Sequence, residues 1–361
     1  MKILLIHATA GAGHMKAAEA IYNGLKKYTS HQVVLADALD YTNPFFKRFY
    51  KQAYSFLISK IPFIWGFFFA ALDIEILQPL VRAIRRIYNS INARALHNFL
   101  IQEKFDYIIS THFLSTEVMA ALKRKGLIQS RLITVITDYD AHRIWLARGI
   151  DLFCVATPWT KDKMKRLGVE EVKVVVTGIP TDERFSLSFD VASLRRQMGL
   201  DEKMFTVLMA TGSFGIGPIE EIIQSLQGFQ VIVISGHNQA LFERLCRQRY
   251  EHVKVLGLVS NMPELMAVSN AIVTKPGGLS ISEALVVGLP LIFFNAIPGQ
   301  EAHNVKVLKT YGVGISCPIE EIAEELEKLR SSKDNYLEQV RSSIKEVARP
   351  SAVKDIIALL R

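Results

Sequence analysis

Two doubly wound α/β domains, each a parallel sheet with helices on both faces, are the fold class this sequence predicts. Three observations carry the prediction. Short apolar runs alternate with longer amphipathic segments along nearly the whole chain. These runs fall into two series, and several end in glycine-containing loops that open a helical pattern. Strands alternating with helices build parallel sheets covered on both faces. A chain of 361 residues suits two such domains better than one core.

In the first series, strands are expected at 2–7, 32–36, 107–110, 132–137, 152–156 and 173–177. In the second they are expected at 205–210, 230–235, 253–256, 271–274 and 291–295. Helical patterns lie between most of them, 14–27 and 219–226 among them. At Gly178-Ile179-Pro180-Thr181 a glycine and a proline close one strand, and a polar stretch precedes the next series. The expected domains are therefore 1–180 and 181–342. Pro350 lets the final helical segment bend, so that about 343–361 crosses back to the first domain. In such sheets ligands bind at the carboxyl ends of strands, which directs attention to the loops there.

Residues 45–94 break the alternation. They contain an apolar aromatic run with Phe63, Trp65, Phe67, Phe68 and Phe69, bounded by Lys60 and Asp73. A membrane-spanning helix needs about 20 apolar residues, more than this run supplies. Lys47, Arg48 and Lys51 precede it, and Arg82, Arg85 and Arg86 follow at helical spacing. Aromatic apolar surface beside cations suits an interfacial anchor: rings enter the headgroup boundary and cations meet anionic lipid. The competing reading is a helical hairpin that packs these rings inside the domain. Three consecutive phenylalanines are hard to bury from one helix face, which favours membrane contact.

Composition narrows the partners. Half the residues are hydrophobic and 22% are charged, so the chain folds into globular domains. Cys154, Cys246 and Cys317 are too few and too scattered for a disulfide framework or a zinc site. The amino terminus lacks the apolar stretch and small-residue cleavage site of a signal peptide, so a cytoplasmic location is expected. A net charge of +8 favours anionic partners, and no nucleic-acid-binding motif accompanies it. The expected place is peripheral, on the inner face of the cell membrane.

The first strand ends in His7-Ala8-Thr9-Ala10-Gly11-Ala12-Gly13-His14. Glycines there allow a tight turn and close approach of a ligand. A dinucleotide fingerprint would need a third glycine where Lys16 stands, although Asp37 lies where a ribose-binding acid would. His14 sits at the helix start, where the helix dipole keeps an imidazole neutral. A neutral imidazole can take a proton from a sugar or glycerol hydroxyl. The competing reading is a capping or merely exposed histidine.

The richest constellation is Thr274-Lys275-Pro276-Gly277-Gly278-Leu279-Ser280-Ile281-Ser282-Glu283. A strand runs into two glycines, and a helix opens with small hydroxyl residues. Backbone N–H groups, the Ser280 hydroxyl and a helix dipole converge there on one anion. Glu283, about a turn into the helix, is placed to accept from ribose hydroxyls. Gln300 and Glu301, after the next strand, suit sugar hydroxyls. Gly212 and Ser213, after the first strand of the second series, can approach phosphates, and Val259 lies in a loop that can hold a base. Together these residues describe a site for a nucleoside diphosphate carrying a sugar. Asp138-Tyr139-Asp140 spells an Asp-x-Asp pair of the kind that holds a nucleotide-bound cation, but it lies in the first domain, away from the nucleotide loops.

With these residues in place, the sequence resembles the monogalactosyldiacylglycerol synthases and processive diacylglycerol glucosyltransferases of glycosyltransferase family 28. The resemblance covers most of the chain. It is strongest at Gly11-Ala12-Gly13-His14, at Thr137-Asp138-Tyr139 with His142 and Trp145, at Val176-Thr177-Gly178-Ile179-Pro180, and at the last two loops. It implies a GT-B fold: two Rossmann-like domains facing a central cleft, acceptor on the first and UDP-sugar on the second. It implies inverting transfer of a hexose to a lipid acceptor, diacylglycerol above all, without a metal or other cofactor. His14 matches the general base, Gly277, Gly278 and Ser280 the diphosphate loop, Glu283 the ribose contact, and Gln300 and Glu301 the sugar contacts. Gly13, Asp138 and His142 fall on the acceptor side. A UDP-sugar epimerase of the same fold and N-acetylglucosaminyl transfer to a polyprenyl-linked acceptor are the alternatives.

Overall fold

The computed structural model describes every residue except 10, 44–46, 49–51, 54–55, 58–60, 80, 82–92, 211, 213–214, 216, 295 and 361. The chain forms two compact units. One comprises Met1–Asp182, Ile297–His303 and Ser351–Arg361; the other comprises Glu183–Ala296 and Asn304–Pro350.

The first unit holds β1 (Lys2–His7), β2 (Gln32–Asp37), β3 (Tyr107–Ser110), β4 (Arg131–Val135), β5 (Leu152–Val155) and β6 (Val174–Val176). They pair in parallel in the order β2-β1-β3-β4-β5-β6. Successive strand residues point to opposite faces. Ile3 and Leu5 accordingly join one buried cluster, with Ile109 and Ile133, while Leu4 and Ile6 join another, with Ile108 and Leu132. Helix α1 (Ala12–Tyr28) lays Ile21 and Leu25 on the Ile3 face. A short helix near the C-terminus, Ala352–Ile357, adds Ile356 to the same cluster. Gly24 permits their contact: a Cβ there would stand 2.3 Å from Val353 Cγ1.

The second unit holds β7 (Thr206–Ala210), β8 (Gln230–Ile234), β9 (Val253–Leu256), β10 (Ala271–Thr274), β11 (Leu291–Phe293) and β12 (Ile315–Ser316). They too are parallel, in the order β12-β11-β10-β7-β8-β9. Both units are thus doubly wound, as the alternation of strands and helices predicts. β12 lies beyond the strands that the sequence predicts, because two residues carry no readable period.

Each sheet reverses its winding once: beside β1 and β3 in the first unit, beside β7 and β10 in the second. Loops leaving such neighbouring strands diverge and leave a crevice at their carboxyl ends. The loop before His14 follows β1, and the loop with Gly277 follows β10. In the unusual 45–94 stretch, the described residues contain no strand; α2 (Pro62–Ala71) carries the aromatic run. Among the described residues, no helix is long and apolar enough to cross a membrane.

Candidate active site

His14 lies in the first turn of α1, whose N-cap residue, Gly11, supplies no side-chain hydrogen bond. Its Nδ1 is 2.8 Å from the Thr111 carbonyl oxygen and 2.8 Å from Thr137 Oγ1. A carbonyl oxygen only accepts, so Nδ1 carries the proton and Nε2 is left as the basic nitrogen. Thr111 returns the contact: its hydroxyl donates to the His14 carbonyl at 2.8 Å. Thr111 directly follows β3, so this clasp spans the winding reversal between β1 and β3. Burial pushes the His14 pKa down to about 4; the Thr111 carbonyl opposes that shift and His7 adds to it. His112 meets the His14 ring edge-on with centroids 4.6 Å apart, and the Trp145 ring is 6.0 Å away. The result is an oriented, neutral imidazole. Gly13, half-buried, precedes it in the same helical turn.

Sequence reasoning missed Thr111. Nothing in its local sequence marks it, and only the adjacency of β1 and β3 brings it to His14. The dinucleotide role weighed for Asp37 is not needed to explain that residue: its Oδ1 accepts the Thr9 and Leu39 N–H groups and so fixes the loop.

The remaining acceptor-side residues form a connected group within the first unit. Asp138 is buried and accepts a hydrogen bond from Gln300 Nε2. Asp140, also buried, pairs with Lys163 at 2.7 Å and with His303 at 3.1 Å. His142 spends both ring nitrogens inside the protein. Its Nδ1 accepts from the Ile144 N–H at 3.0 Å, and its Nε2 donates to the Phe69 carbonyl at 2.8 Å. Burial lowers its pKa against the opposing pull of Asp73 and the Phe69 carbonyl. Glu301 accepts the Ile297 N–H at 2.9 Å, closing the turn that leads into the helix Gln300–Thr310.

Helix α2 is two-sided. Phe63 is 81% exposed, Phe67 72% and Phe68 53%, and Trp65 is half-buried. Phe69 corrects the expectation of membrane contact. It is only 8% exposed, because its place in the helix turns it inward onto the His142 ring, with centroids 4.0 Å apart. Arg82, Arg85 and Arg86 lie outside the described residues.

In the second unit, β10 leads through Lys275-Pro276-Gly277 into α3 (Gly278–Val287). Gly277 is the N-cap and, having no side chain, makes no side-chain hydrogen bond to the first N–H groups of α3. A helix start in this condition attracts an anion. Gly277 has φ −75°, which any residue adopts, and a Cβ there would meet nothing within 4 Å. Its lack of a side chain is therefore not required by packing. Gly278 and Leu279 are buried, and Ser280 and Glu283 are half-buried along the first two turns. The loop is braced from behind. Thr274 Oγ1 donates to the Ala210 carbonyl at 2.6 Å, tying β10 to β7, and buried Asn304 donates to the Pro276 carbonyl at 3.1 Å.

The loop after β7 places Gly212, exposed with φ +76°, beside the same winding reversal. Gly215, with φ +56°, is required sterically: a Cβ would stand 2.6 Å from the Ser235 carbonyl oxygen. Ser213 lies outside the described residues. Val259 is half-buried after β9, next to an exposed Leu258.

Comparison with known proteins finds family matches for both halves of the chain. Residues 14–181 match the family described as Monogalactosyldiacylglycerol (MGDG) synthase. Residues 217–357 match the Glycosyltransferase family 28 C-terminal domain. A Processive diacylglycerol beta-glucosyltransferase of Staphylococcus epidermidis is 32% identical over 325 residues, covering 87% of this chain and 80% of the relative. The chain belongs to this family. A protein of the same name from Staphylococcus carnosus is 29% identical to this family 28 glycosyltransferase, over 96% of the chain and 88% of the relative. Among solved structures, Acinetobacter baumannii MurG aligns with TM-score 0.62 at 16% identity, covering 99% of each chain. Anabaena Alr3699/HepE in complex with UDP aligns with TM-score 0.60 at 15% identity, covering 100% of this chain and 99% of that one. At such identities these structures establish the GT-B fold alone. The enzyme is thus a glycosyltransferase of that fold.

Proposed function

We propose that the enzyme moves a hexose from a UDP-sugar to diacylglycerol, with inversion, and that His14 is the general base. The observation that carries this reading is the tautomer of His14. With Nδ1–H held by Thr111 and Thr137, Nε2 is free of its proton at neutral pH and can accept one. In the step, Nε2 takes the proton of the acceptor hydroxyl as its oxygen attacks the anomeric carbon. The bond from that carbon to the diphosphate oxygen breaks, and UDP leaves. N–H groups at the start of α3 and the Ser280 hydroxyl stabilise the charge that develops on the diphosphate. Glu283 would bind the ribose, Gln300 and Glu301 the hexose, and Val259 the base, with Gly212 and Ser213 beside the phosphates.

The reading needs no metal. Asp138 and Asp140 are engaged by Gln300, Lys163 and His303, so their carboxylates already have protein partners. The outward rings of α2, Phe63, Phe67 and Phe68, support docking on a lipid surface, where diacylglycerol resides. The net charge of +8 supports a preference for anionic lipid and for the inner, cytoplasmic face. The names of the two staphylococcal relatives support glucose as the hexose.

The test offers radiolabelled UDP-glucose and UDP-galactose singly with diacylglycerol vesicles in chelator and follows the lipid by chromatography. Labelled glycolipid is the expected product. Label that appears only as an altered free UDP-sugar would contradict transfer.

A further inference from the structure

Helix α2 has an inner face whose role is not explained by lipid contact. Gly66, Phe69 and Asp73 recur at helical spacing and point into the first unit. A Cβ on Gly66 would stand 2.7 Å from Pro298 Cβ and 3.3 Å from the Pro298 carbonyl carbon. Phe69 fills the space beside Gly299, whose φ is +97° and whose missing Cβ would lie 3.1 Å from the Phe69 ring. The His303 ring meets Phe69 edge-on at 5.7 Å. Asp73 accepts the Arg143 N–H at 2.9 Å, fixing the end of the helix to the loop after β4.

The turn seated by this face leads directly to Gln300, which is bonded to Asp138, and to Glu301, which is bonded to the Ile297 N–H. One helical turn later, His303 is pinned by Asp140. Pro298–Gly299 is therefore packed against α2, and the helix that follows it is tied by Gln300 and His303 to two buried aspartates, Asp138 and Asp140. The glycines at both contact points, Gly66 and Gly299, leave no slack that a side chain would otherwise fill.

We propose that α2 positions the hexose-recognition residues: Gly66 and Phe69 seat Pro298–Gly299 and thereby set where Gln300 and Glu301 present their side chains. This rests on the reading that Gln300 and Glu301 contact the hexose. Gly66 and Phe69 are positioning residues and touch no substrate. The same helix thus serves lipid contact with one face and donor-sugar selection with the other.

The test compares UDP with UDP-glucose and UDP-galactose, binding each in solution and using each UDP-hexose with diacylglycerol vesicles. Two variants are used. Phe69→Leu shortens the key. Gly66→Ala displaces Pro298 while favouring the helix, because alanine is the better helix former. Both are expected to raise the KM for UDP-hexose about ten-fold, the loss of roughly one hydrogen bond to the sugar. UDP affinity and vesicle cosedimentation are expected to stay as in the parent protein. An unchanged UDP-hexose KM in both variants would overturn the proposal. So would an equal loss of affinity for UDP, since that reports general damage. If the unaltered protein itself transferred neither hexose, the functional reading would fail instead.

Discussion

At the scale of single residues, the proposed chemistry turns on where one proton sits. The Thr111 carbonyl can only accept, so it selects the Nδ1–H tautomer of His14 and leaves Nε2 basic. Burial then keeps the ring neutral by lowering its pKa to about 4, well below the ordinary histidine value of 6.5. A base with that pKa stays competent as pH falls through 6.5. The acid limb of kcat/KM is therefore expected only towards pH 4, with no break near 6.5. A pH–rate profile with the acceptor in vesicles checks this, and a limb centred near 6.5 would show that the ring is not held in this way. The stability linkage has the same sign. Unfolded His14 binds a proton near 6.5 and the folded residue only near 4, so its contribution is complete above 6.5 and declines as pH falls from 6.5 towards 4.

At the scale of elements, the ends of strands lead into the loops that carry the candidate groups, and a helix start suits an anion. Helix α3 opens with Gly277, whose backbone conformation and surroundings would both accept a side chain. A glycine that packing does not require leaves its backbone open to close approach by a ligand. Gly277→Ala is expected to leave the melting temperature unchanged and to weaken UDP binding by about ten-fold or more, through a methyl group set against the diphosphate. Calorimetric titration with UDP checks it; unaltered binding would move the diphosphate elsewhere. Helix α2 shows how one element buries one ring and exposes others. Its sequence is apolar all round, so periodicity alone could not tell Phe69 from Phe67 and Phe68. Only the position of His142 and Gly299 separates the ring that packs inward from those that face out.

At the scale of the whole molecule, the two sheets were legible because buried parallel strands read as continuous apolar runs. Ile3 to Ile6 and Val231 to Ile234 are of this kind. The loops with His14 and Gly277 were legible because glycines at strand ends mark places of close approach. Less was legible where a role depends on distant partners. Thr111 reaches His14 across 97 positions of sequence, and Gln300 reaches Asp138 across 162. No local pattern encodes such contacts; the winding order of the sheet and the path of the chain create them. β12 was missed for the opposite reason, being too short to show any pattern at all.

The central claim is that an imidazole of the first unit and a diphosphate loop of the second serve one transfer reaction. The direct measurement is hexose transfer and UDP binding by His14→Ala. Loss of a general base predicts turnover lower by roughly 10²–10⁴-fold with UDP affinity retained. Near-normal turnover in that variant would contradict the account.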